Sequence, residues 1–198
     1  MSRTVEFYFD VGSPAAYLAW HRLPQVCAGD VRIDYKPFLL GGVFQATGNQ
    51  SPAQIPAKGK YMFADLARFA QRDGTPFANN PFFPINTLTL MRGAVGLQMR
   101  DEPRMRPYVD AVFRAIWVDG RNMNDPAVVA DVLRQAGFDP AQLLALAGEP
   151  AVKDRLKAIT QEAVDRGVFG APTFFVDGQM YWGQDRIDFV QHALENPQ

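Results

Sequence analysis

The chain has 198 residues, of which 47% are hydrophobic and 21% are charged, and its formal net charge is −1. This length and composition are those of an ordinary globular protein with room for a substantial core. Lysine and arginine are scattered along the chain and form no basic run. The sequence therefore lacks the basic face that nucleic acid or an anionic membrane requires, and we expect a small-molecule partner.

Residues that form disulfides or bind metals are scarce. Cys27 is the only cysteine, so no intrachain disulfide can form, and a reducing cytoplasm suits such a chain. His21 and His192 lie far apart in the sequence, and we expect no metal site. No leader pattern follows Met1 and no apolar run reaches about 18 residues, so we expect neither export nor membrane insertion.

The first 40 residues predict a strand, a helix and a second strand. Residues 4–9 are rich in strand-forming side chains. Ser13 and Pro14 follow, and they suit the N-cap and the first position of a helix. Residues 31–36 alternate between apolar and polar side chains, which is typical of a strand. A strand, a helix and a strand in this order favour a parallel strand pair.

The middle of the chain, from about residue 44 to 166, is a predicted helical block. Strand signals are nearly absent there, and helix boundaries are frequent. Asp125 and Pro126 open a segment that ends at Gly137, and residues 150–167 show the same punctuation. Apolar side chains at three- and four-residue spacing predict further helices over 60–72, 86–99 and 104–118.

The end of the chain returns to strands. Residues 173–176 and 179–182 flank Asp177 and Gly178, a pair that favours a tight hairpin turn. A helix follows, with Ile187, Val190 and Leu194 on one face.

This order of elements predicts an α/β fold. Without the helical block, the chain has the arrangement of a thioredoxin-like domain. We therefore predict that residues 1–43 and 167–198 form this domain and that residues 44–166 are an all-helical insertion.

In thioredoxin-like domains the turn after the first strand presents a sulfur-reactive site at a helix N-terminus, where exposed N–H groups and the helix dipole favour a thiolate. The four residues there are Ser13-Pro14-Ala15-Ala16, so the chain lacks the dithiol that disulfide exchange requires. Ser13 is then either only a helix cap or a hydrogen-bond donor to a thiolate that another molecule supplies.

Ala171 and Pro172, directly before the third predicted strand, favour the second interpretation of Ser13. In this superfamily the proline at that place is cis and lies beside the active-site turn. The residue before it then offers its backbone groups to an extended thiol peptide. The alternative is an ordinary loop proline, since most X–Pro bonds are trans.

Four stretches give the chain a resemblance to a known family. They are FYFDVGSPAAYLAW, PFLLGGVFQATGNQSPA followed by AKGKY, NPFFPINT, and GVFGAPTFFVDGQMYWGQDR. Over essentially its whole length the chain resembles the 2-hydroxychromene-2-carboxylate isomerases. These belong with kappa-class glutathione transferases to the DsbA-like branch of the thioredoxin superfamily.

The resemblance implies a glutathione site. Ser13 matches the serine that activates the glutathione sulfur. Three further groups of positions match residues that bind the rest of the tripeptide. Asn49 and Lys58 match those for the glycyl end, and Ala171 with the cis-proline Pro172 matches those for the backbone. Gln184 and Asp185 match those for the γ-glutamyl group. Gly12 and Ala15 are smaller than the residues often found there in the family, which predicts a wider pocket above the sulfur.

The activity implied is a cis–trans isomerisation that uses glutathione as a regenerated cofactor. Its substrates would be aromatic catabolic intermediates of the 2-hydroxychromene-2-carboxylate type, and its products of the trans-o-hydroxybenzylidenepyruvate type. The resemblance also implies a homodimer. Two alternatives stay open: a kappa-class-like transferase that forms stable conjugates, and a non-catalytic module that binds glutathione or a peptide.

Overall fold

A computed structural model describes residues 3–27 and 29–196 of the chain. In these ranges four strands form one sheet in the order β2-β1-β3-β4. The strands are β1 (Arg3–Phe9), β2 (Val31–Pro37), β3 (Thr173–Val176) and β4 (Gln179–Trp182). Strand β2 runs parallel to β1, whereas β3 is antiparallel to both β1 and β4. The predicted parallel pair and the predicted hairpin are both confirmed.

Nine α-helices surround this sheet in the described ranges. They are α1 (Pro14–Val26), α2 (Leu40–Thr47), α3 (Pro56–Arg72), α4 (Leu88–Arg100), α5 (Glu102–Trp117), α6 (Pro126–Gln135), α7 (Pro140–Gly148), α8 (Pro150–Asp165) and α9 (Ile187–Glu195). The α/β fold with a long helical segment between β2 and β3 is confirmed. Within the described residues no helix is both long and apolar enough to cross a membrane.

Local sequence signals explain several of these boundaries. Asp125 caps α6 by accepting a hydrogen bond from Ala127 N, and Asp139 caps α7 in the same way. In the turn between β3 and β4, Asp177 and Gly178 have φ angles of 49° and 80°, as a tight hairpin turn requires. The sequence pattern did not predict α7 as a helix of its own.

One face of the sheet carries an aromatic core. Phe7 stacks on Phe174 of β3 with 5.1 Å between ring centroids, and Phe9 lies 5.0 Å from Trp20 of α1. Phe113 of α5 packs against both Phe9 and Trp20. The inserted helix α5 therefore shares a core with the strand that leads to the Ser13 turn.

The other face of the sheet is fixed to α8 by polar contacts. Arg166, directly after α8, donates to both carboxylate oxygens of Glu6 at 2.6 and 2.9 Å. These hydrogen bonds lower the pKa of the Glu6 carboxyl. Tyr8 donates to Glu162 of α8 at 2.6 Å. The end of the helical segment is thus tied to β1 as well.

Candidate functional site

The site is built on the turn between β1 and α1. Ser13 N donates to the carbonyl oxygen of Asp10 at 3.0 Å, which closes the turn. The Ser13 hydroxyl accepts a hydrogen bond from Ala16 N at 3.1 Å, and Pro14 occupies the first helical position. Ser13 therefore caps α1, as the sequence predicted.

The Ser13 hydroxyl also contacts the loop that precedes β3. It donates to the carbonyl oxygen of Ala171 at 2.9 Å, across 158 residues of sequence. The Ala171–Pro172 peptide bond is cis, as expected for this fold. A cap requires only the contact with Ala16, and the second contact brings the turn and the cis-proline loop together.

Asn49 is joined to the same loop, whereas Lys58 is not. The Asn49 side chain lies on the surface after α2, and its Nδ2 donates to the carbonyl oxygen of Phe169 at 2.8 Å. Lys58 lies in the first turn of α3 with an exposed side chain. It makes no hydrogen bond or ion pair with any other residue in 3–27 or 29–196, so its charge is available to a ligand.

Gln184 and Asp185 follow β4 on the other side of the cis-proline. Gly183 N donates to the carbonyl oxygen of Pro172 at 3.0 Å, which holds this segment beside the loop. Gln184 is buried, and its Oε1 has no hydrogen-bond partner among the described residues. Asp185 accepts a hydrogen bond from Arg186 at 2.8 Å. A buried carbonyl oxygen without a donor is unfavourable, so Gln184 is suited to receive one from a ligand.

The turn is also held by hydrogen bonds to residues that the sequence analysis did not single out. Val11 O accepts a hydrogen bond from the indole N–H of Trp117 at 2.9 Å, and Val11 N donates to the sulfur of Met91. Asp10 is buried and accepts hydrogen bonds from Gly12, Leu40 and Thr87. A sequence signal did exist, because an acidic residue ends an apolar strand three positions before Ser13.

The absence of a side chain at Gly12 does not widen a pocket, contrary to the prediction. A Cβ atom there would lie 2.9 Å from Cγ2 of Thr87 and 3.4 Å from Oδ1 of Asp10. Thr87 therefore already fills the space beside Gly12. Ala15, the other small residue, is half-buried.

No protein group in the site suggests metal chemistry. Across the described ranges, no group of three or more histidine, cysteine, aspartate or glutamate side chains is arranged to hold a metal ion. The predicted site residues instead offer hydroxyl, amide, carboxylate, ammonium and backbone groups.

Comparison with known proteins agrees with this geometry. Residues 4–195 match the DSBA-like thioredoxin domain family. A 2-hydroxychromene-2-carboxylate isomerase of Sphingobium xenophagum is 33% identical over 198 residues, covering 98% of this chain and 99% of the relative. Glutathione S-transferase kappa 2 of Caenorhabditis elegans is 31% identical, covering 98% of this chain and 93% of the relative.

A solved structure shows the same relationship. The structure of a 2-hydroxychromene-2-carboxylate isomerase superposes with a TM-score of 0.85 at 30% identity, covering 97% of this chain and 94% of that one.

The fold and the site define a DsbA-like thioredoxin domain whose active turn carries a serine in place of cysteine. Within that class the relatives include both 2-hydroxychromene-2-carboxylate isomerases and kappa-class glutathione transferases. The chain belongs to the 2-hydroxychromene-2-carboxylate isomerase family, to which the kappa-class glutathione transferases are related.

The single cysteine is predicted to be unreactive. Cys27 lies at the far end of α1, about 20 Å from Ser13 along the helix axis. Burial raises the pKa of its thiol to about 11. At pH 8 we expect iodoacetamide to alkylate Cys27 about a hundredfold more slowly than free glutathione, with a rate that rises towards pH 11. Cys27→Ser is the control without a target, and rapid alkylation at pH 8 would contradict the assignment.

Proposed function

We propose that the protein is a glutathione-dependent isomerase. It converts compounds of the 2-hydroxychromene-2-carboxylate type into trans-o-hydroxybenzylidenepyruvate-type products. The observation that carries the proposal is the contact between Ser13 and Ala171. It joins a thiolate-stabilising turn to a peptide-binding loop in a site without a cysteine. The names of the relatives support the choice of reaction.

Glutathione fits the groups that surround this contact. The unpartnered Oε1 of Gln184 can accept a hydrogen bond from the γ-glutamyl ammonium group, and Asp185 can pair with its charge. Ala171 offers its backbone groups in the manner of an added strand. Asn49 and Lys58 would hold the glycyl carboxylate. When bound, glutathione supplies a thiolate that adds reversibly to the conjugated carbon. The addition turns the double bond into a single bond, about which the adduct can rotate.

The hydroxyl of Ser13 has to change partners for this chemistry. It has one proton, which it donates to Ala171 O, and it accepts from Ala16 N. To stabilise a thiolate it rotates towards the sulfur, and an N–H group of the thiol peptide replaces it at Ala171 O. Ser13 acts as a donor throughout and never as a nucleophile.

The start of α1 favours the charged form of the sulfur. The first turn of α1 contains no acidic residue. The free N–H groups and the dipole of this helix therefore act on an anion without an opposing charge in that turn. A lower thiol pKa increases the reactive fraction near neutral pH.

Two alternatives remain to be separated by experiment. The 31% identity to a kappa-class transferase supports a reaction that ends in a stable conjugate. A module that binds glutathione or a peptide without catalysis would share the same residues. The fates of glutathione and of the substrate together distinguish all three: a transferase consumes glutathione, an isomerase converts the substrate and returns glutathione, and a module binds glutathione without converting the substrate.

The first prediction concerns the requirement for glutathione. After thorough dialysis the protein should not isomerise a 2-hydroxychromene-2-carboxylate, and turnover should return on addition of glutathione without net consumption of thiol. Absorbance of the substrate and a thiol assay measure the two quantities. Cys27→Ser is the matched control and should keep wild-type turnover. Full activity in thiol-free buffer would exclude the proposed function.

The second prediction concerns Ser13→Ala. Loss of the cap should cost about 1 kcal/mol of unfolding free energy. Loss of a hydrogen bond to a charged acceptor, about 1.5–3 kcal/mol, should raise the pKa of the bound glutathione thiol by about one to two. The thiolate absorbance of the complex, titrated against pH, measures this change. Asp139→Ala removes the cap of α7 and should lower stability by a similar amount with no effect on the thiol. An unchanged titration in Ser13→Ala would reduce Ser13 to a cap.

We also propose a cytoplasmic homodimer, on the basis of the family. The single half-buried cysteine suits a reducing compartment. Sedimentation equilibrium at micromolar concentration should give about twice the 22.1 kDa chain mass. A clean monomer would refute the dimer without affecting the proposed reaction.

A further inference from the structure

The Asp10 carboxylate lies where the starts of three helices meet. Its Oδ1 accepts from Gly12 N at 2.9 Å, in the turn that leads to α1. Its Oδ2 accepts from Leu40 N at 2.8 Å, at the start of α2, and from the Thr87 hydroxyl at 3.0 Å, directly before α4. Asp10 is 1% exposed and Thr87 is 7% exposed. One buried side chain thus connects three segments that are distant in sequence.

No cation among the described residues pairs with Asp10. The groups that act on its carboxyl are these three donors, and burial raises its pKa against their effect. Three helix N-termini also direct their positive ends towards this region. A carboxylate buried without an ion pair is unfavourable unless it is fully hydrogen-bonded, so each of the three donors matters.

Thr87 packs beside Gly12 and is also hydrogen-bonded to Asp10. Its Cγ2 occupies the space beside Gly12, and its hydroxyl reaches the Asp10 carboxylate. Gly12 immediately precedes Ser13, and Ser13 N is itself bonded to the carbonyl oxygen of Asp10. A movement of Thr87 or of the Asp10 side chain would therefore displace the Ser13 hydroxyl.

We infer that Asp10 and Thr87 are positioning residues that hold the Ser13 hydroxyl at the sulfur site. This inference rests on the proposed function. Neither residue is placed to touch a bound thiol, since Asp10 is buried with both oxygens directed to internal donors and Thr87 is buried with its hydroxyl directed to Asp10. Their effect on the reaction passes through Ser13.

Two substitutions of Thr87 separate its two contacts. Thr87→Val keeps the methyl group beside Gly12 and removes the hydroxyl donor. Thr87→Ser keeps the hydroxyl and removes the methyl group. If positioning depends on the bond to Asp10, the valine variant should lose kcat by about ten- to a hundredfold, the range expected for a hydrogen bond to a charged group. The serine variant should stay within about threefold of wild type.

The Michaelis constant for glutathione should change little in Thr87→Val. The groups proposed to bind the tripeptide lie on other segments, so a displaced Ser13 hydroxyl should reduce kcat and raise the pKa of the bound thiol. A purely structural defect would instead weaken glutathione binding or lower the active fraction. A normal kcat in Thr87→Val would overturn the inference, and so would a loss of equal size in Thr87→Ser.

A double-mutant cycle tests whether the effect passes through Ser13. In Ser13→Ala there is no hydroxyl left to position. Adding Thr87→Val to that variant should therefore lower kcat by less than about twofold, although it lowers kcat strongly in the wild type. Additive losses would mean that Thr87 acts independently of Ser13 and would overturn the inference. Asp10→Asn should behave like Thr87→Val, because Gly12 N and Leu40 N donate to different carboxylate oxygens and the amide NH2 would replace one of these acceptors.

Amide hydrogen exchange keeps the inference separate from the proposed function. In Thr87→Val, exchange at Gly12, Ser13 and Leu40 should be at least about tenfold faster than in Thr87→Ser when the two variants have the same melting temperature. A wild-type protein that needs no glutathione would exclude the proposed function while leaving this measurement decisive. Unchanged exchange at all three amides would overturn the positioning role whether or not the protein isomerises.

Discussion

The turn at residues 10–13 is held by hydrogen bonds that reach distant parts of the chain. These residues leave a strand and enter a helix inside the protein, where unpaired polar groups are unfavourable. Asp10 and Val11 are enclosed, so their polar groups need protein partners, and several of these come from other segments. Thr87 and Trp117 supply two of them from the helical segment. The Ser13 turn can keep its shape only while those helices are in place.

This dependence changes how the helical segment is understood. By chain order it is an insertion between β2 and β3, and the division at residues 43/44 and 166/167 stays a prediction. The hydrogen bonds from α4 and α5 cross that division to reach the turn. The ion pair between Glu6 and Arg166 adds a link on the opposite face of the sheet. The inserted helices therefore act as part of the scaffold of the site.

The sequence predicted features that depend on near neighbours. Asp125-Pro126 and Asp177-Gly178 mark their helix and their hairpin locally, and both were confirmed. The cap at Ser13 and the cis bond before Pro172 followed from short motifs together with the fold. The hydrogen-bond partners of Asp10 could not be predicted, because Leu40 and Thr87 lie 30 and 77 residues away. Gly12 was interpreted wrongly for the same reason, since Thr87 fills the space that its missing side chain leaves.

The replacement of cysteine by serine constrains the type of reaction that the site can support. A hydroxyl at the start of α1 can stabilise a thiolate, but it cannot exchange disulfides. Under the proposed function, the sulfur bound there is a nucleophile that another molecule supplies. A site that stabilises a thiolate also makes the thiolate a better leaving group, so it favours elimination of the sulfur after addition. Reversible addition uses the larger thiolate fraction for attack and the better leaving group for release. A stable conjugate forms from the same thiolate when the substrate itself loses a leaving group, so the choice between the two reactions lies in the substrate and not in the Ser13 turn.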